Sequence, residues 1–98
     1  MPTFISTVNF TQQGIRDIKA SLKRAEGFKA MATEMGATVK ELYWAQGPFD
    51  GLIVLDAPDD ETAAALMLRL SSFGNVTTQT ARAFSASQMQ PIIGKITD

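Results

Sequence analysis

A chain of 98 residues and 10.6 kDa holds one domain and leaves no room for a second. Its 45% hydrophobic and 19% charged residues and its net charge of -1 describe a globular chain, with no field to draw in nucleic acid or an acidic membrane. There is no cysteine for a disulfide or thiol nucleophile and no histidine to serve as general base, haem ligand or zinc ligand, so we expect no metal site and no cofactor.

Met1 to Val8 lacks the basic start and long apolar run of a secretory signal. No unbroken apolar stretch, Leu52 to Leu55 among them, approaches the roughly 20 residues that span a bilayer, and a cytoplasmic location is expected. Residues 3 to 10 alternate with period two, putting Phe4, Val8 and Phe10 on one face of a first strand and Ile5, Thr7 and Asn9 on the other. Thr11 offers a helix N-cap. Ile15, Ile18, Leu22, Ala25, Phe28, Ala32 and Met35 then recur at steps of three or four, predicting one apolar helical face that Gly36 closes. Gly14 and the Ala20-Ser21 step are the places where this span would divide into a short helix and a longer one.

Residues 37 to 45 carry β-branched and aromatic residues at strand spacing, with Leu42 and Trp44 opposite Val39 and Tyr43. Gln46 to Phe49 supply a turn, and Asp50 to Ala57 return as a third strand that completes a hairpin. This strand has Ile53 and Leu55 on one face and Leu52 and Val54 on the other, so both faces require cover. Asp59 is placed to cap a helix whose core positions are Ala63, Leu66, Met67, Leu70 and Phe73, ended by Gly74. The threonine-rich segment from Val76 to Phe84 reads as an edge strand. Ser85-Ala86-Ser87-Gln88 matches a capping box opening a C-terminal helix, which Pro91 and Gly94 are expected to weaken or interrupt.

The order predicts an α+β fold of the ferredoxin-like βαββαβ type with a C-terminal helix, first and third strands central and two helices on one face. Two helices cover only one side of a sheet, so the doubly apolar third strand predicts a homodimer in which a second copy covers the other side.

The chain closely resembles the GYD domain family of small bacterial proteins over nearly its whole length. The resemblance rests on Asn9-Phe10-Thr11, Gln13-Gly14-Ile15-Arg16, Ile18-Lys19, Glu34-Met35-Gly36, Tyr43-Trp44, Ala57-Pro58-Asp59-Asp60, Gly74-Asn75-Val76 and Arg82-Ala83-Phe84-Ser85. The glycine-tyrosine-aspartate motif that names the family is altered to Gly47-Pro48-Phe49-Asp50, with phenylalanine in the tyrosine's place. The resemblance implies a dimeric α+β barrel, a group whose relatives include cofactor-independent monooxygenases, muconolactone isomerase-like enzymes and haem-handling proteins.

Few residues are suited to chemistry. Asp50, at the mouth of the hairpin, is the first catalytic candidate, because partial burial there would raise its pKa toward that of a useful base. A turn-capping role, binding backbone N–H groups, is the preferred reading. Tyr43 is the second catalytic candidate. It neighbours Trp44 in a strand, so the two side chains must face opposite ways and core or dimer packing is the reading preferred for both. Asn9, Trp44, Phe49 and Arg82 are the ligand-binding candidates, Asn9 and Arg82 because neighbouring strands would let them approach one another and an anion. For Arg82 an exposed edge charge is the competing reading. The acids Asp56, Asp59, Asp60 and Glu61 sit at a helix start, where capping is preferred over cation binding. The leading functional expectation is a homodimeric protein that binds a small molecule between sheet and helices. The alternatives are a cofactor-independent oxygenase or isomerase acting on a hydrophobic compound, and an interaction module without a pocket.

Overall fold

The computed structural model describes residues 1–97. Strand β1 (Thr3–Phe10) leads through Thr11 into a short helix α1 (Gln12–Arg16), a 3-10 turn (Ile18–Ala20) and helix α2 (Ser21–Glu34). A hairpin of β2 (Thr38–Trp44) and β3 (Gly51–Asp56) follows, then α3 (Asp60–Ser72), β4 (Val76–Ala83) and α4 (Ala86–Ile93). The sheet is antiparallel throughout, in the order β2-β3-β1-β4, so β1 and β3 are central and β4 is an edge as expected. No helix among the described residues is long and apolar enough to cross a membrane.

One face of the sheet is packed. Phe4 and Val8 of β1 and Ile53 and Leu55 of β3 are buried against Phe28, Met31 and Ala32 of α2 and Ala63, Leu66 and Met67 of α3. Ser6 lies fully buried within this layer, where its hydroxyl is hydrogen-bonded by Thr80 Oγ1 at 3.0 Å, so its burial leaves no unpaired polar group.

Several expectations are corrected. Ile15, Ile18 and Leu22 do not join the core face, and Leu22 is 70% exposed. The helix breaks at Asp17, and the 3-10 turn resets the rotational phase, so three-and-four spacing carried across the break no longer marks one side. Phe73 is also exposed, because it forms the C-cap of α3 beyond the last turn that the sheet covers. In β2 a bulge between Val39 and Glu41 inserts a residue, so Val39 and Leu42 both pack on the core rather than on opposite faces. Helix α4 runs through Pro91 without interruption, held at its start by the reciprocal Ser85–Gln88 capping box and ending at Gly94.

Gly14 explains how α1 is seated. A Cβ at this position would collide with the backbone carbonyl of Asn75, so only glycine lets α1 lie against the turn between α3 and β4. That turn is itself shaped by Gly74 at φ 82°.

Candidate functional site

Where α2 and the end of α3 splay apart above the sheet, they leave an open cleft of about 550 Å³. Phe10, Leu42, Ile53 and Val76 supply its apolar floor from all four strands, while Phe28 and Met31 of α2 and Leu70 and Phe73 of α3 form the walls. Arg24, Glu34, Arg69 and Asp50 are the charged residues along it. Small residues keep the space open on the α2 side: Gly27 faces the cleft and a Cβ there would meet nothing within 4 Å.

The upper end of the cleft is held by a hydrogen-bonded junction of three connections. Phe10 N–H donates to Asp50 Oδ2 at 2.8 Å, and Asp50 N–H donates to the Val8 carbonyl at 2.8 Å, which locks the start of β3 to the end of β1. Thr11 N–H donates to the Asn75 carbonyl at 3.0 Å and Thr11 Oγ1 to the Gly74 carbonyl at 2.6 Å. Gln13 Nε2 donates to the Phe73 carbonyl and to Asn75 Oδ1, both at 3.0 Å. Arg24 closes the same corner, donating to the Asp17 carbonyl at 2.7 Å and the Gly14 carbonyl at 3.3 Å. These bonds satisfy carbonyls that the broken helix would otherwise leave open.

The six candidate residues fall into different places. Asp50 lines the cleft, with one carboxylate oxygen holding β1. Trp44 stands at the rim, 45% exposed, with its indole Nε1 donating to Ser21 Oγ at 2.8 Å and so tying β2 to the start of α2. Tyr43 contributes to the cleft wall, but its hydroxyl donates to Glu41 Oε2 at 3.0 Å on the outer side of the sheet. The Glu41 carboxylate, as acceptor and as a neighbouring negative charge, raises the pKa of that phenol. Phe49 is half-buried in the hairpin loop and is absent from the cleft lining.

Asn9 and Arg82 are not brought together. Asn9 pairs with Thr77 whereas Arg82 pairs with Phe4, so they lie about 17 Å apart along β1 and on opposite faces of the sheet. Arg82 instead stacks over the rings of Phe84 (4.7 Å to the centroid) and Phe4 (5.6 Å), and donates to the Ala83 and Thr3 carbonyls. It is a clamp on the far corner of the sheet rather than an anion receptor.

What sequence periodicity missed is that residues such as Phe10, Leu42 and Leu70, which do pack against the core, also line the cleft. Phe10, Leu42, Leu70 and Phe73 have core spacing, and only the splay of the two helices leaves them lining open space. The run of small residues on α2, Ala25, Gly27 and Ala30, is the signal from which the gap could have been inferred.

The fold and the cleft together define a ferredoxin-like α+β domain with an apolar groove between its sheet and helices. The chain belongs to the GYD domain family, whose model matches residues 4–93. It is 32% identical over 90 residues to a Thermus thermophilus protein named "Glutamine synthetase and cystathionine beta-lyase binding protein", a match covering 91% of this chain and 95% of that one. Among solved structures, the crystal structure of TTHA0845 from Thermus thermophilus superposes with a TM-score of 0.57 at 22% identity, covering 88% of this chain and 96% of the other. An ACT domain protein from Streptococcus pneumoniae superposes at 0.50 with 16% identity, covering 85% and 90% respectively. These two likenesses bear on the fold alone.

Proposed function

We propose that this chain is a homodimeric binding protein whose cleft holds a small apolar molecule. The observation that carries this reading is the cleft itself: about 550 Å³ of open space, floored by aromatic and aliphatic side chains, is in the size range of small-molecule sites. Binding is favoured over catalysis because the two titratable candidates do not converge. The Asp50 carboxylate is engaged with Phe10 N–H inside the cleft, and the Tyr43 hydroxyl is engaged with Glu41 outside it.

Trp44 is the single tryptophan of the chain and stands at the rim, which makes its emission a direct reporter. Titration with 1-anilinonaphthalene-8-sulfonate is expected to perturb Trp44 emission saturably, and Leu70→Glu, which puts a charge in the wall, is expected to weaken that binding at least tenfold. Native mass spectrometry of freshly purified protein then reports stoichiometry and any carried compound together. A monomer that leaves Trp44 unperturbed sinks the reading.

A second reading is favoured by a different observation. Ile15, Ile18, Leu22 and Phe73 leave apolar side chains exposed on the helical side, and the Thermus relative is named for binding two enzymes. In this reading the helical surface docks on a protein of that kind. Sedimentation of the chain with purified glutamine synthetase and with purified cystathionine beta-lyase tests it, and Leu22→Glu is expected to abolish any co-sedimentation without lowering thermal stability.

A further inference from the structure

The end of the chain leaves the domain. Helix α4 has no buried residue, and Ile93 and Ile96 stay more than half exposed. The radius of gyration, 14.9 Å, exceeds the roughly 12.6 Å expected of a compact domain this long. The longest dimension, 53 Å, is about twice the roughly 26 Å reach of an eight-residue strand. Yet α4 is not a polar tail. Met89, Ile92, Ile93 and Ile96 recur at three-and-four spacing and are all exposed, while Lys95 is the one charged residue among 85–97. An eight-residue helix containing a proline is marginal in water without packing, so its capping box and apolar stripe together call for a surface to lie on.

The same chain carries such a surface. On the face of the sheet away from α2 and α3, Ile5 lies between Val54 and Ala81, and Leu52 between Thr7 and Tyr43, and Ile5 and Tyr43 are exposed there. We propose that α4 is an exchanged arm, the α4 of each copy lying against the outer sheet face of the other. This rests on the homodimer reading and adds to it which segment completes the interface.

Area favours a second copy with both arms engaged. Four strands about 4.8 Å apart and about seven residues long present a face of roughly 19 by 23 Å, or about 440 Å². A stable interface needs about 800 Å² from each partner. An eight-residue helix is about 12 Å long and 10 Å wide, so the arm that a copy gives adds about 120 Å² to the sheet face on which it receives the other, about 560 Å² per copy, and narrows the gap. Charge permits the seating: the arm brings Lys95, and the outer face carries Glu41 beside an Asp56 already paired with Lys40 at 3.7 Å.

Sedimentation equilibrium of the full chain beside Ile92→Asp/Ile93→Asp tests the arm. Both side chains are exposed, so folding, checked by circular dichroism, is retained. The expected result is a dimer whose dissociation constant rises about 100-fold or more in the variant. A dimer unchanged by the variant overturns the arm exchange and leaves the homodimer standing, whereas a monomeric parent chain overturns both. Because the chain has no cysteine, Ile93→Cys and Ile5→Cys proteins can also be mixed and oxidised. A mixed disulfide between the two chains is the expected product. If Ile5→Cys/Ile93→Cys in one chain closes on itself as a monomer instead, the arm folds back on its own sheet and the proposal fails.

Discussion

The two faces of β3 carry nearly the same residues and have different fates. Ile53 and Leu55 are buried beneath α2 and α3, while Leu52 and Val54, one position away, are only half-buried on the opposite face of the sheet. Apolar character states that a side chain will be buried somewhere; which neighbour buries it depends on what the rest of the chain places across the sheet. On the helical side the chain supplies its own cover. On the outer side it supplies a surface and, in α4, an unpacked apolar arm.

The sharpest way to break this contrast is to lift the helical layer. Gly14→Ala forces a methyl into the Asn75 carbonyl, and since α1 cannot shift without breaking the Thr11 and Gln13 bonds, we expect a loss of about 3 kcal/mol or more. In thermal unfolding that is a fall of more than about 10 °C, and a loss below about 1 kcal/mol would show that the junction yields. Next comes the direct comparison of the faces. Leu66→Ala, fully buried on the helical side, is expected to cost about 3 kcal/mol. Val54→Ala on the outer side is expected to change unfolding of the monomer by less than about 1 kcal/mol, and to act chiefly on association. Equal losses at high dilution would mean that the outer face is covered within one chain.

A smaller effect is expected at the junction of the two central strands. Asp50→Ala leaves Phe10 N–H without its acceptor at a part-buried position and should cost about 1 to 2 kcal/mol, and Asp50→Asn, which keeps a carbonyl oxygen, should recover much of this. Recovery of stability by asparagine with unchanged binding would assign Asp50 to holding the strands.

The smallest effect belongs to the start of α3, where Asp59 accepts from Thr62 N–H at 2.7 Å. Hydrogen bonding by the Thr62 side chain, and then by this N–H, favours the charged carboxylate and lowers its pKa. Its contribution is therefore present above the ordinary aspartate range and is lost as pH falls through the lowered value. Asp59→Ala is expected to melt a little earlier than the parent at neutral pH, with the gap closing in acid. A gap independent of pH would mean that the charge contributes nothing to the cap.

Much of the architecture was legible because its signals are local. Thr11, Asp59 and Ser85 each accept from the backbone where a cap was expected, and Gly36 and Gly74 both take positive φ just past a helix. A backbone-binding role for Asp50 was readable from its place beside Gly47, Pro48 and Gly51, but the N–H it holds is that of Phe10 in β1 and not one of the turn. The misplaced faces of the first helical span and of β2 share one cause. Periodicity assumes an unbroken phase, and the 3-10 turn before α2 and the bulge beside Val39 each shift that phase by part of a turn or by one residue. The pairing of Asn9 with Arg82 failed for lack of register, since adjacency of two strands does not say which residues stand side by side.

By itself the sequence determined the elements, their order, the central places of β1 and β3 and the need to cover two faces of the sheet, because caps, turns and alternation act within a few residues. Only the tertiary structure decided that α2 and α3 splay to leave a cleft, that Trp44 stands on its rim while Tyr43 turns outward, and that α4 leaves the domain. Those outcomes depend on helix angle, strand register and the space between elements distant in the chain, which no local pattern of residues encodes.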